Sequence, residues 1–269
     1  MRKAPYVSIG ILAVIMIACL LADIIIPYAP SYMSLTEISQ APVSNHIFGT
    51  DTLGRDLFSV ILYGGRISLI IGLLATVIST AIAVIYGTAA GLASQRADDL
   101  LMRFTEILMS VPQILFVIFI QAIWGEATVV SIAVVIGITG WMAVAKMVRS
   151  EVKQLRNAGF VLAARTMGGG FFYILRKHLM PNFMSTIMFM VVTNIGSAIV
   201  TEATLSFLGV GLPTDVISWG SLMSLSQRAM LTGSWHLLLI PGLFLVATLI
   251  CITDIGEYLR TRNRRERLM

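Results

Sequence analysis

The stretch ISLIIGLLATVISTAIAVIYGTAAGLA, residues 67–93, contains no charged side chain and no proline. A helix crossing ~30 Å of hydrocarbon needs about 20 predominantly apolar residues, and this run exceeds that length. A helix at the surface of a soluble domain would show a polar stripe recurring every three or four positions. Here only Gly, Ser, Thr and Tyr86 interrupt the aliphatic side chains. A helix satisfies its own backbone hydrogen bonds inside lipid, so the run reads as a membrane-spanning helix.

Five further runs have the same character: residues 7–27, 100–124, 128–148, 182–208 and 235–259. The run at 128–148 is the most polar, broken by Gly137, Thr139, Gly140 and Lys146. Across the 269 residues, 57% are hydrophobic and only 12% charged, with a mean hydropathy of +0.87. A soluble domain carries about 25% charged residues to cover its surface, so most of this exterior faces lipid. The expected fold is all-α and integral to the membrane, with six transmembrane helices. Arg2 and Lys3 precede the first run, but that run is too long for a signal peptide. It carries Asp23 and lacks a small-residue cleavage site, so it reads as a retained helix.

Basic residues set the expected orientation. With the N-terminus in the cytoplasm, only Arg55, Arg66 and Arg228 fall in or beside outer segments. Arg260, Arg262, Arg264, Arg265 and Arg267 form a basic tail on the inner side. Both termini are therefore expected inside, and the sequence pI of about 9.5 needs no nucleic-acid partner. Two connections are long: residues 28–66 outside and the strongly basic 149–181 inside. Short loops at 94–99 and 125–127 imply tight antiparallel pairs. The outer segment 209–234, rich in Gly and Ser and holding Trp219, is a candidate for dipping back toward the membrane. Gly87 and Gly91, near Ala83 and Ala90, suit close helix packing. Cys19 and Cys251 read as small packing residues.

The chemistry that is missing narrows the function. The four lysines follow Arg2, Ala145, Val152 and Arg176, so no phosphate-binding P-loop is present. His46, His178 and His236 are isolated and none belongs to an HExxH site, and no serine sits in a GxSxG elbow. A membrane enzyme is disfavoured, and the chain is expected to bind no cofactor or metal of its own.

The inner loop holds the most informative segment, GFVLAARTMG (159–168), continuing to HLMPN (178–182). It reads as a short helix with small residues at Ala163 and Ala164, broken by the three glycines 168–170. An amphipathic stretch at 171–179 then runs into Pro181, which suits the first turn of the fifth spanning helix. Small side chains there permit docking into another protein's groove. Arg165, Arg176 and Lys177 equally suit an interfacial helix on anionic lipid.

This segment resembles the coupling motif of ABC-importer permeases: EAA, three residues, Gly, nine residues, then I-x-L-P. Leu162, Ala163 and Ala164 take the first places, Gly168 the glycine and Pro181 the final proline. Leu162 replaces Glu, His178 replaces Ile and Met180 replaces Leu. A second segment, HIFGTDTLGRD (46–56) followed by YGGRISL (63–69), resembles the signature of the dipeptide, oligopeptide and nickel importer permeases. LSFLGVG (205–211) with SWG (218–220) resembles the same group. Residues Gly49, Thr50, Asp51, Gly54, Arg55 and Asp56 of the outer signature also suggest a tight turn held by side-chain bonds. A structural clasp is preferred there over direct substrate contact.

The resemblance implies an ABC type I importer permease fold. Residues 1–63 would form an N-terminal helix and extracytoplasmic segment. Residues 64–257 would form the transport core, with the coupling loop near 150–181, and 258–269 the basic cytoplasmic tail. It implies partners: a second homologous permease, one or two ABC ATPase subunits that carry ATP and Mg, and an extracytoplasmic binding protein. Peptide is preferred over nickel or metal chelate as substrate. The alternative is a self-sufficient secondary transporter or channel, which usually shows repeats or several intramembrane ionisable groups.

Charged groups inside spans are functional candidates because burying them is costly. Asp23 and Asp254 lie near helix ends, and Glu106 is placed to pair with Arg103 one turn away. Glu202, deep in the fifth run, either lines the pathway or caps the break before 206–211. Gln113 and Gln121 either line a path or join helices, and Pro112 is expected to kink the third run.

Overall fold

The computed structural model describes residues 4–213 and 215–266. The side chains of Arg2, Lys3, Arg228, Arg264, Arg265 and Arg267, used above for orientation, lie outside what it describes. Among the described residues the architecture is all-helical, with two isolated bridges, Val43 to His46 and Thr50 to Asp56, as the β-type pairings. Helices α1 (Tyr6–Leu20) and α2 (Ala22–Ile25) cover the first run. Ile26, before Pro27, is already extended at ψ 131°, as the clash with a following proline ring demands.

Helix α3 (Leu57–Leu92) is the central column, packing against α6 (Val129–Thr139), α7 (Met142–Leu155) and α10 (Met180–Phe207). It begins at Leu57, ten residues before the quoted apolar run, because Asp56 caps it and the clasp delivers the chain straight into helix. The Gly87/Gly91 pair is where α7 arrives. A Cβ on Gly87 would stand 2.5 Å from the Ala145 carbonyl, and one on Gly91 2.7 Å from Val152 Cβ. Only glycine admits a backbone that close.

The third and fourth runs are not straight spans. Helices α4 (Gln95–Met109) and α5 (Gln113–Trp124) meet at 88° across Ser110–Pro112. Pro112 supplies no N–H and biases Val111 away from helix, so the expected kink becomes a full break. Helices α6 and α7 meet at 45° around Gly140, and α7 continues to Leu155, well into the expected inner loop. Glu106 does not pair with Arg103; it stands 3.8 Å from Lys146 on α7. Asp98, 1% exposed, holds α4 to α7 by accepting from Arg149 Nη2 at 2.6 Å and from Lys153.

Helix α8 (Gly159–Thr166) is followed by α9 (Phe171–Ile174), which passes through a π-helical turn (Leu175–Leu179) into α10. Pro181 lies in the first turn of α10, as expected, and the π turn joins α9 and α10 into one helical stretch, Phe171–Phe207. The wide turn, with Met180 N donating to Leu175 O, absorbs the proline without ending the helix. Asn182 Nδ2 donates to the His178 carbonyl one turn back at 2.7 Å.

Helix α11 (Trp219–Ser226) packs against α3, α10 and α12 (His236–Glu266). Among the described residues three helices are long and apolar enough to cross a membrane: α3, 171–207 and α12. The number is five when each bent pair counts as one span, and α1 is a shorter apolar helix of 15 residues. Part of the expected tail at 258–269 is therefore helical, since α12 runs unbroken to Glu266.

Candidate functional site: inner groove, outer clasp and the Glu202 node

The inner loop is folded onto the helices rather than loose. Val161 and Ala164 of α8, Ile174 of α9, and Leu175 and Leu179 of the π turn are buried. They share one apolar core with Ala83 of α3, Val148 and Val152 of α7, and Phe183 of α10. Burial is one-sided: Leu162 is 46% exposed and Ala163 faces outward beside it. Gly168 ends α8 in the left-handed region at φ +81°, with Gly169 N bonded to Ala164 O at 2.9 Å. Ala163, Ala164 and Gly168–Gly170 floor an open groove of about 600 Å³, walled by Phe160, Met167, Tyr173 and His178. The His178 ring lies 5.5 Å from that of Tyr173 and 6.2 Å from that of Phe160. Pro181 is exposed one turn beyond.

Ahead of α3 the signature residues form a hydrogen-bonded clasp. Asp51 Oδ1 accepts from Leu53 N at 2.8 Å and Arg55 N at 2.9 Å, and its Oδ2 accepts from Arg55 Nε at 2.7 Å. Asp56 Oδ2 accepts from Ser59 N and Oγ at 2.8 and 2.6 Å, while Oδ1 meets His46 Nδ1 at 2.9 Å. Thr50 Oγ1 donates to Glu37 O and accepts from Gln40 N at 2.9 Å. Gly49 and Gly54 both have positive φ and would collide with the Gln40 and Ser34 carbonyls if they carried a Cβ. His46, Thr50, Asp51, Arg55 and Asp56 are all buried. The carboxylates of Asp51 and Asp56 are occupied by groups of the same segment, while Arg55 Nη2 is buried without a hydrogen-bond partner among the described residues.

Glu202 is fully buried. Its Oε1 accepts from Ser218 Oγ at 2.7 Å and Ser206 Oγ at 3.0 Å, and its Oε2 from Ser68 Oγ at 3.0 Å. Those hydroxyls pass the connection on. Ser68 Oγ accepts from Trp219 N, and Ser206 Oγ from Leu212 N. The node thus ties α3, α10, the turn after α10 and the N-cap of α11. Of the two readings of Glu202, this arrangement matches the cap at the helix break. The partners Ser68, Ser206 and Ser218 were not picked out in the sequence. The Ser218-x-x-Ser221 capping pair before α11 was the available signal.

Gln113 opens α5 and is exposed, near Gly140 and Asn194. Gln121 is buried, and its amide atoms have no hydrogen-bond partner among the described residues. Among those residues no three His, Cys, Asp or Glu side chains gather as a metal site.

Residues 83–265 match the family described as "Binding-protein-dependent transport system inner membrane component". The chain is 36% identical over 259 residues to the dipeptide transport system permease protein DppC of Bacillus subtilis, covering 96% of this chain and 81% of that one. It is 37% identical to the oligopeptide transport system permease protein OppC of Haemophilus influenzae, covering 96% and 83%. An inward-facing crystal structure of the MetNI methionine ABC transporter shares the fold, with a TM-score of 0.58 at 16% identity, covering 76% of this chain and 95% of that one. A helical core built around one long central column, an inner loop packed into that core and relatedness along almost the whole chain converge: this protein belongs to the inner-membrane permease components of binding-protein-dependent ABC importers.

Proposed function

We propose that this chain is the permease half of a peptide importer, pairing with a second, homologous permease so that the pathway lies between them. The relatives' names, dipeptide and oligopeptide permeases, support peptide as the substrate class; neither of these names mentions nickel. An extracytoplasmic binding protein delivers the peptide, and one or two ATPase subunits holding ATP and Mg supply the energy. Both termini face the cytoplasm, with residues 64–257 as the transport core.

One observation carries the coupling reading: the inner groove and the membrane helices share a single apolar core. Helix α9 runs without a break into α10, and α8 follows α7 after three residues, so both ends of the loop are gripped. Packed elements move as units between discrete arrangements rather than deforming smoothly. A force applied by an ATPase seated on Leu162, Ala163, Gly168 and His178 therefore reaches α7 and α10 directly.

The test is co-purification from detergent-solubilised native membranes, comparing wild type with Gly168→Val. A β-branched residue at φ +81° is strained by about 1–3 kcal/mol and remodels the groove. Wild type is expected to bring down an ATPase and a second permease, and the folded variant to lose the ATPase alone. A wild-type chain that purifies alone and still drives solute uptake would be a secondary transporter.

A further inference from the structure

Both broken helix pairs converge on one point. Gly140 lies at the 45° bend between α6 and α7, and Gln113 is the first residue after the 88° break at Pro112. Asn194 stands at the middle of α10. A Cβ placed on Gly140 would lie 3.8 Å from Gln113 Nε2 and 3.8 Å from Asn194 Oδ1, so two side-chain amides flank the space that this glycine leaves empty. Asn194 Nδ2 donates to Ser79 Oγ of α3 at 2.7 Å, which fixes the amide's direction. Gln113 is exposed and makes no side-chain hydrogen bond among the described residues, and Gly140 and Asn194 are half-buried, so the cluster opens on the outside of this chain.

We propose that Gln113 and Asn194 form a contact site for the peptide backbone of the substrate, with Gly140 kept small to admit it. The inference rests on the peptide-permease reading above and names residues of its pathway. A primary amide offers both a donor and an acceptor, which is what a peptide unit requires, and it ignores the substrate's side chains. Interrupted helices are where membrane transporters expose irregular backbone and polar side chains to a substrate. Gln113, Gly140 and Asn194 are themselves uncharged, so these contacts neither trap nor repel the charged ends of a short peptide. Glu202, the intramembrane acid, is spent on its three serines and takes no part.

The experiment uses the complete importer, with its own binding protein and ATPase, in proteoliposomes. Uptake of trialanine is compared with that of its analogue N-methylated at the internal amides, for wild type, Gln113→Leu, Asn194→Leu and Gly140→Leu. The binding protein is common to all four, so any change in the uptake ratio reports the permease. Each variant is expected to lower trialanine uptake roughly tenfold, the worth of one or two hydrogen bonds, and to shrink the preference for the unmethylated peptide. Subunit assembly is expected to persist. Gln113→Leu guards against misfolding, because its amide supports nothing else in the chain. Asn194→Gln is expected to recover part of the preference. Variants that assemble and keep the wild-type uptake and ratio would overturn this inference alone. A wild-type complex that takes up neither peptide would overturn the peptide reading and this site with it.

Discussion

Ser218 Oγ donates to Glu202 Oε1 across 2.7 Å, so the residue that caps α11 is also the residue that satisfies a fully buried carboxylate on α10. Helix α11 is thereby seated by the same bond that makes an intramembrane acid tolerable. Ser68 and Ser206 complete the arrangement from α3 and from α10 itself.

Removing the acid should be costly. Glu202→Ala leaves three buried hydroxyls without their acceptor and is expected to lose about 2–4 kcal/mol of stability. Glu202→Gln retains one acceptor oxygen and should lose less. Thermal unfolding in detergent checks this, and equal melting temperatures for wild type and Glu202→Ala would refute the node's structural role.

Asp56 joins the clasp to the central column. Asp56→Ala removes the α3 N-cap bonds to Ser59 together with the contact to His46. The expected cost is about 1–2 kcal/mol, with local opening of residues 37–56. Limited proteolysis from the outer side should cut the variant faster there, while the inner loop keeps its wild-type cutting rate.

Asp98 is the latch between α4 and α7. Asp98→Ala leaves Arg149 and Lys153 without their shared carboxylate and should let α4 lift from α7. Met102, 8% exposed on the buried face of α4, reports this when replaced by cysteine. Cys19 and Cys251 are buried, so background labelling by a thiol reagent is low. Met102→Cys alone should label slowly and the double variant Asp98→Ala/Met102→Cys several-fold faster. Equal rates would mean that the latch does not hold the helix.

Much is legible in the sequence alone. An uncharged run at 67–93 is read by local physics alone, because lipid selects for length and apolarity. The inner motif was visible through spacing, and the outer one through a cluster of Gly, Asp and Arg. Misreadings arose where a local signal met a neighbour. Pro181 sits in the first turn of α10, as its position suggests, yet a π turn joins that helix to the one before it. Glu106 looked committed to Arg103, yet α7 brings Lys146 to it.

The sequence by itself determined that the chain is helical and lives in the membrane, since both follow from composition and run length, while the inner loop stood out only through its resemblance to a family motif. Only the tertiary structure decided what the polar residues in the spans do. Glu202, Ser68 and Ser218 are separated by as many as 151 residues' worth of chain at their contacts with Trp219 and one another. Gln113, Gly140 and Asn194 likewise meet only because two helices break at the same place. A buried polar group is defined by the partners that replace its water, and those partners come from helices that sequence order does not place side by side.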